Sequence, residues 1–358
     1  MKIKLHLIVP IICVFLFFPT EVNGAELTDA VPPSFAERLP DEIKNGGEID
    51  TDTLGFDFIF KEILDDIASA LSPAAVSLST LLGMLMLSSA AKLLCPDRKS
   101  GISIVSCAVI GTYIIASEAE TAVAVEGFAS TVSTFVTAIT PLFSAMFFSS
   151  ASALTGSVAS AGFLFFSAVT EFISAYIFVP ICKASIGFAV VNAVGGGTAS
   201  QIFKTVKEIF TFSLSALAVV YIAVLSYQTS LAAAADTVAA RSVKFALSSS
   251  IPIVGSALGD AVRTTAAGIS VIKSASGALG TAVMILLASP VLVRLVISSA
   301  VYSLAAFAAE MTGCEREREL FSEIKNVLGF ALATLSVISL VFIISTAIFI
   351  KTSPAISL

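Results

Sequence analysis

The residues able to do acid–base, nucleophilic or metal chemistry are few, and their spacing excludes most of it. The sole histidine, His6, lies in an N-terminal stretch that reads as a signal peptide. A mature chain without histidine has no Ser-His-Asp triad, no imidazole base and no His-ligated zinc. Beyond Cys13 in that same stretch, the cysteines are Cys95, Cys107, Cys182 and Cys314, scattered over separate segments with no C-x-x-C pair. They read as small packing residues and not as a metal or disulfide framework. Gly259-Asp260 shares half of the Gly-x-Gly-Asp of intramembrane aspartyl proteases, but residue 257 is Ala and the nearest aspartate, Asp236, belongs to the same stretch. No Gly-x-x-x-x-Gly-Lys occurs, so no loop of that kind cradles nucleotide phosphates. Serine is so abundant that no Ser-Lys dyad can be singled out. The expectation is a non-enzymatic protein with no cofactor and no metal.

Charges in apolar surroundings remain. Glu171 and Arg294 each stand alone in a long apolar run. A charge at membrane depth costs about 2.5–3.5 kcal/mol on insertion scales, so each has reason to seek a partner, and pairing with one another is one expectation. Lipid-exposed snorkelling or simple helix–helix bonding is the alternative. A second group, Arg241, Lys244, Asp260, Arg263 and Lys273, is spread over residues 228–276 among apolar positions. These seven are the candidate functional residues.

The elements that must carry them follow from composition. Of 358 residues, 56% are hydrophobic and only 13% charged, with mean hydropathy +0.97. Soluble domains run near 25% charged, so a water-soluble globule is excluded. Residues 67–91, 127–170, 209–235, 274–293 and 326–350 carry no Asp, Glu, Lys or Arg. Since a membrane helix needs about 20 apolar residues, the chain reads as an all-α, polytopic helical membrane protein. Eight spans are expected, at about 74–94, 101–117, 129–149, 158–181, 184–200, 209–229, 278–303 and 327–350. The fifth contains Asn192 and Gly195-Gly196-Gly197, so a broken or re-entrant helix is an equal expectation there.

Residues 1–24 have a Lys2/Lys4 n-region, an apolar Leu5–Phe18 run and small residues before Ala25, the pattern of a cleaved signal peptide, with an uncleaved anchor as the alternative. Residues 25–72 form an acidic extracytoplasmic segment; twelve acids face three bases over residues 25–66. A transmembrane bundle, first part, covers 73–227, an amphipathic hairpin 228–276, and the closing transmembrane helices 277–358. Loop charge orients the chain. Arg98 and Lys99, Lys204 and Lys207, and Arg316, Arg318 and Lys325 mark inside loops, while Glu118, Glu120 and Glu126 mark an outside one. No basic patch suggests nucleic acid. Gly156, Gly162 and the serines and alanines around them suit close helix packing.

The stretch Asp236-Thr237-Val238-Ala239-Ala240-Arg241-Ser242-Val243-Lys244-Phe245 is the distinctive part, with Ile251-Pro252-Ile253-Val254-Gly255, Asp260-Ala261-Val262 and Val271-Ile272-Lys273-Ser274 after it. It resembles the stage III sporulation protein AE family of endospore-forming bacteria. The acidic outer segment here is short for that family. The resemblance implies a role and no reaction: a multi-pass component of a channel or secretion-like complex in the mother-cell membrane around the forespore. Its implied partners are other stage III sporulation membrane proteins of the same operon, among them an ATPase and ring-forming proteins, a forespore-side channel partner, and the lipid bilayer. A stand-alone permease or secondary transporter is the competing expectation, carried by the span count, the Gly195–Gly197 break and the buried charges.

Overall fold

A computed structural model describes residues 56–149, 153–195, 199–250 and 255–351. They form eight α-helices: α1 (Phe56–Leu94), α2 (Lys99–Ser117), α3 (Ala119–Ser149), α4 (Ala153–Ile173), α5 (Val179–Gly195), α6 (Ala199–Ser250), α7 (Gly255–Met311) and α8 (Glu315–Lys351). Seven stretches are long and apolar enough to cross a membrane, as the composition demands. The signal peptide and most of the acidic segment lie outside the described residues.

The eight helices stack into six rods, because two of the expected loops are joints within a rod. The α2–α3 joint is Glu118, whose φ of −90° and ψ of 1° leave the helical region for one residue. The ladder hardly notices: Glu118 N–H donates to the Ile114 carbonyl and Ala122 N–H to the Glu118 carbonyl, both at 2.9 Å. Positions along α8 give the direction. Gly111 of α2 lies against Val190, near where Arg316 reaches the Val194 carbonyl. Glu118 to Val125 surround a cavity with Val327 to Ala331, and Phe135 meets Phe342 with ring centroids 5.7 Å apart. Residue numbers thus climb together, and α2 and α3 run the same way. The expected outside loop at Glu118–Glu126 is therefore a mid-bundle joint, since nothing there breaks the helix strongly enough to reverse it.

The α4–α5 rod descends beside it, through a π-helical turn at Ser174–Phe178. Pro180 has no N–H for the Tyr176 carbonyl, and a widened turn just before it absorbs the mismatch. The expected fourth and fifth spans are one continuous 43-residue stretch. Likewise α6 and α7, at 52 and 57 residues, run straight through the hairpin boundaries drawn at 228 and 276. At about 1.5 Å per residue α7 reaches some 85 Å, against a hydrocarbon core of about 30 Å.

Consecutive rods alternate in direction, and α8 packs on α7, α6, α5, α4 and α2. Phe163 joins the Phe135–Phe342 contact at 5.9 Å, and Phe178, Phe210 and Phe330 form a second cluster nearer the base. The α7–α8 turn is closed by Gly313 at φ 67°, with Cys314 N–H donating back to the Ala309 carbonyl at 2.9 Å. That left-handed residue is why a glycine stands there. Lys92, Arg98, Lys99, Lys204, Lys207, Arg316 and Arg318 all lie at this same end. The three expected inside loops are thereby gathered at one end, the basic end for its lysines and arginines, where acids such as Glu310, Glu315 and Glu319 stand among them.

A candidate functional site at half height

Ionisable side chains recur where the two joints lie. At the α2–α3 joint Glu118, 6% exposed, accepts a hydrogen bond from the Tyr302 hydroxyl of α7 at 2.9 Å on Oε1. Its Oε2 is buried and has no hydrogen-bond partner among the described residues. Two residues on, Glu120 binds Arg294 of α7 at 2.8 Å; one and a half turns further, Glu126 binds Lys183 of α5 at 2.8 Å. Both pairs lie at the surface of the bundle, substantially exposed. A cavity of about 30 Å³ sits inside this belt, lined by Glu118, Thr121 and Lys183 among apolar side chains of α3, α5, α7 and α8. That is room for a water or two.

The belt divides the bundle into two tiers. Toward the basic end lie the charge-free stretches 67–91, 100–117, 184–195 and 295–309; beyond the belt lie 127–149, 153–170, 209–235, 274–293 and 326–350. Each tier has its own polar clamp. In the basal tier Ser88 and Lys92 of α1 both donate to Glu317 Oε1 at 2.7 Å, with Glu317 fully buried. In the distal tier Asp236 of α6 accepts from Leu154 N–H at 3.3 Å, Thr155 N–H at 2.8 Å and the Thr155 hydroxyl at 2.7 Å. These are orphan donors of the first turn of α4, so Asp236 caps a helix from a neighbouring rod. Between the tiers, the Ser289 hydroxyl donates to Asp66 Oδ2 at 2.6 Å, tying α1 to α7.

The expected Glu171–Arg294 pair does not form. Glu171 accepts from the Ser133 hydroxyl at 2.8 Å, distal to the belt, while Arg294 takes Glu120. The two lie at different heights, Arg294 beside the belt cavity and Glu171 opposite a residue two turns beyond it. Arg241 is exposed near the distal end of α6. Lys244 lies on α6, and Asp260, Arg263 and Lys273 on α7, but their side chains are outside the described residues. The belt residues Glu118, Tyr302 and Lys183 escaped sequence reasoning. The available signal was a cluster of acids and one lysine, each interrupting a charge-free run.

The family model for stage III sporulation protein AE matches residues 56–353. The chain belongs to that family. The match takes in every rod, the belt and both clamps, and it brings a role in sporulation. The stage III sporulation protein AE of Bacillus subtilis (strain 168) is 24% identical over 221 residues, 62% of this chain and 55% of the relative. The chain thus matches about half the length of that family member. No solved structure matches the chain.

Proposed function

We propose that this protein is a non-enzymatic, multi-pass component of the channel or secretion-like complex between mother cell and forespore, seated in the mother-cell membrane around the forespore. The observation that carries the reading is the family match across residues 56–353. Its partners on this reading are the other membrane proteins of the same operon, with an ATPase and ring-forming proteins among them. The form of the bundle supports a component that works by contact. Arg241 is exposed near the distal end of α6, on the segment most distinctive in sequence.

The test is a chromosomal replacement of Arg241 and Lys244 together by glutamine in a sporulating host. Heat-resistant spores should fall as far as in the gene deletion, at unchanged protein level, and the operon partners should no longer co-purify. A variant that sporulates normally overturns the role given to this segment. Full transport of a solute by the purified chain alone, with sporulation indifferent to its partners, would instead establish the permease.

A further inference from the structure

The middle of the bundle holds two joints, and a proline inside a third rod. Glu118 leaves helical geometry between α2 and α3. The π turn at Ser174–Phe178, with Pro180 after it, interrupts the neighbouring rod. Pro290 lies inside α7 one turn from Arg294. Kinks of this kind have local causes, and π turns concentrate at functional sites. The same layer holds three buried polar atoms without a hydrogen-bond partner among the described residues: Glu118 Oε2, Ser174 Oγ and Ser185 Oγ. Unsatisfied buried groups are rare enough that each asks for a reason. Here they flank the small cavity or the joints; Asn192 Oδ1, Glu317 Oε2 and Thr334 Oγ1 are the others among the described residues.

Charge sharpens the point. Glu120 has Arg294 and Glu126 has Lys183, but Glu118, the most buried of the three acids, has only the Tyr302 hydroxyl. Around it stand Tyr302 of α7, on Oε1, and the side chains that share its cavity, among them Cys182 and Lys183 of α5 and Val327, Leu328 and Ala331 of α8; Tyr113 and Ser117 of α2 lie about Tyr302. Lys183 lines the same cavity as Glu118, while its present partner Glu126 is 53% exposed. Lysine is a point charge on a flexible four-carbon stem, and Glu118 lines the cavity that Lys183 lines.

We propose that this layer is a hinge between the two tiers, and that Lys183 is its latch, exchanging Glu126 on the surface for Glu118 in the interior as the tiers move. In the arrangement described, the latch is out and Glu118 is left without a counter-charge. With the latch in, the buried carboxylate gains a counter-charge and Glu126 gives one up. The two arrangements differ in which carboxylate holds the lysine, so anything that favours one tier position over the other shifts the balance between them.

Cys182 borders the cavity and reports on it. The experiment is alkylation of the full-length protein in native membranes, read peptide by peptide by mass spectrometry, with the fully buried Cys107 of the basal tier as internal control. Glu126→Gln frees the latch and should change the Cys182 rate several-fold; Glu118→Gln removes its inner seat and should change the rate in the opposite direction. Cys107 should not respond to either. In a Lys183→Met chain neither substitution should alter the rate further. The exchange is overturned if both substitutions move Cys182 the same way, if neither does, or if Glu118→Gln keeps its effect without Lys183. A parallel change at Cys107 marks general loosening and also counts against it.

Discussion

Single side chains carry unusual weight where they are buried and charged. Glu317 is fully buried and Lys92 nearly so, so removing one leaves the other unpaired in an apolar interior. Such a break costs about 3–5 kcal/mol, whereas removing both together costs far less. Lys92→Met and Glu317→Gln should each depress membrane accumulation strongly, and the double variant should recover part of the loss; a double variant worse than either single refutes the clamp. Asp236 works differently. It satisfies two backbone donors of α4 as well as the Thr155 hydroxyl, so Asp236→Ala should cost about 1–2 kcal/mol, the upper range for a lost cap. Asp236→Asn keeps an acceptor and should cost less, as thermal unfolding in detergent will show.

Elements meet through glycines, and the geometry ranks them. A methyl on Gly156 would lie 2.5 Å from Phe147 Cβ, an atom fixed to the backbone of α3. On Gly162 it would lie 2.5 Å from Leu225 Cδ1, the free end of a side chain. Gly156→Ala must push α3 and α4 apart, at roughly the 1–3 kcal/mol of an overpacked core, while Leu225 can rotate away from Gly162→Ala. The measurement is the difference in unfolding temperature between the two variants, with Gly156→Ala the lower. The small residues around 156 and 162 pack within the chain, and Tyr221 confirms the closeness by donating to the Gly162 carbonyl at 3.1 Å.

At the scale of the whole molecule, six antiparallel rods put every described turn at one of two ends. The basic end gathers Arg98, Lys99, Lys204, Arg316 and Arg318, and loops rich in Lys and Arg stay cytoplasmic. A cysteine at Ser100 should therefore react with an impermeant thiol reagent only after permeabilisation. One at Ser157, exposed at the far end, should react in intact cells. Thr121 is buried at half height and should react in neither condition, which separates a mid-bundle joint from an outer loop.

Composition and charge-free runs determined the class: an all-α polytopic membrane protein built on long apolar helices, with the expected inside loops at one end. Those properties are local, because a helix in lipid satisfies its own backbone and needs no distant partner. Whether consecutive helices reverse or continue was not local. Glu118 and the short gap at 182–183 read as ends of spans, yet neither breaks the helix strongly enough to turn the chain, and packing along α8 carries the rods on. The partners of the buried charges were equally out of reach. Glu118 and Tyr302 are 184 residues apart, and Ser88 and Glu317 are 229. Only the side-by-side placement of rods decides which acid meets which base, so the tertiary structure alone separated Arg294 from Glu171 and assembled the belt.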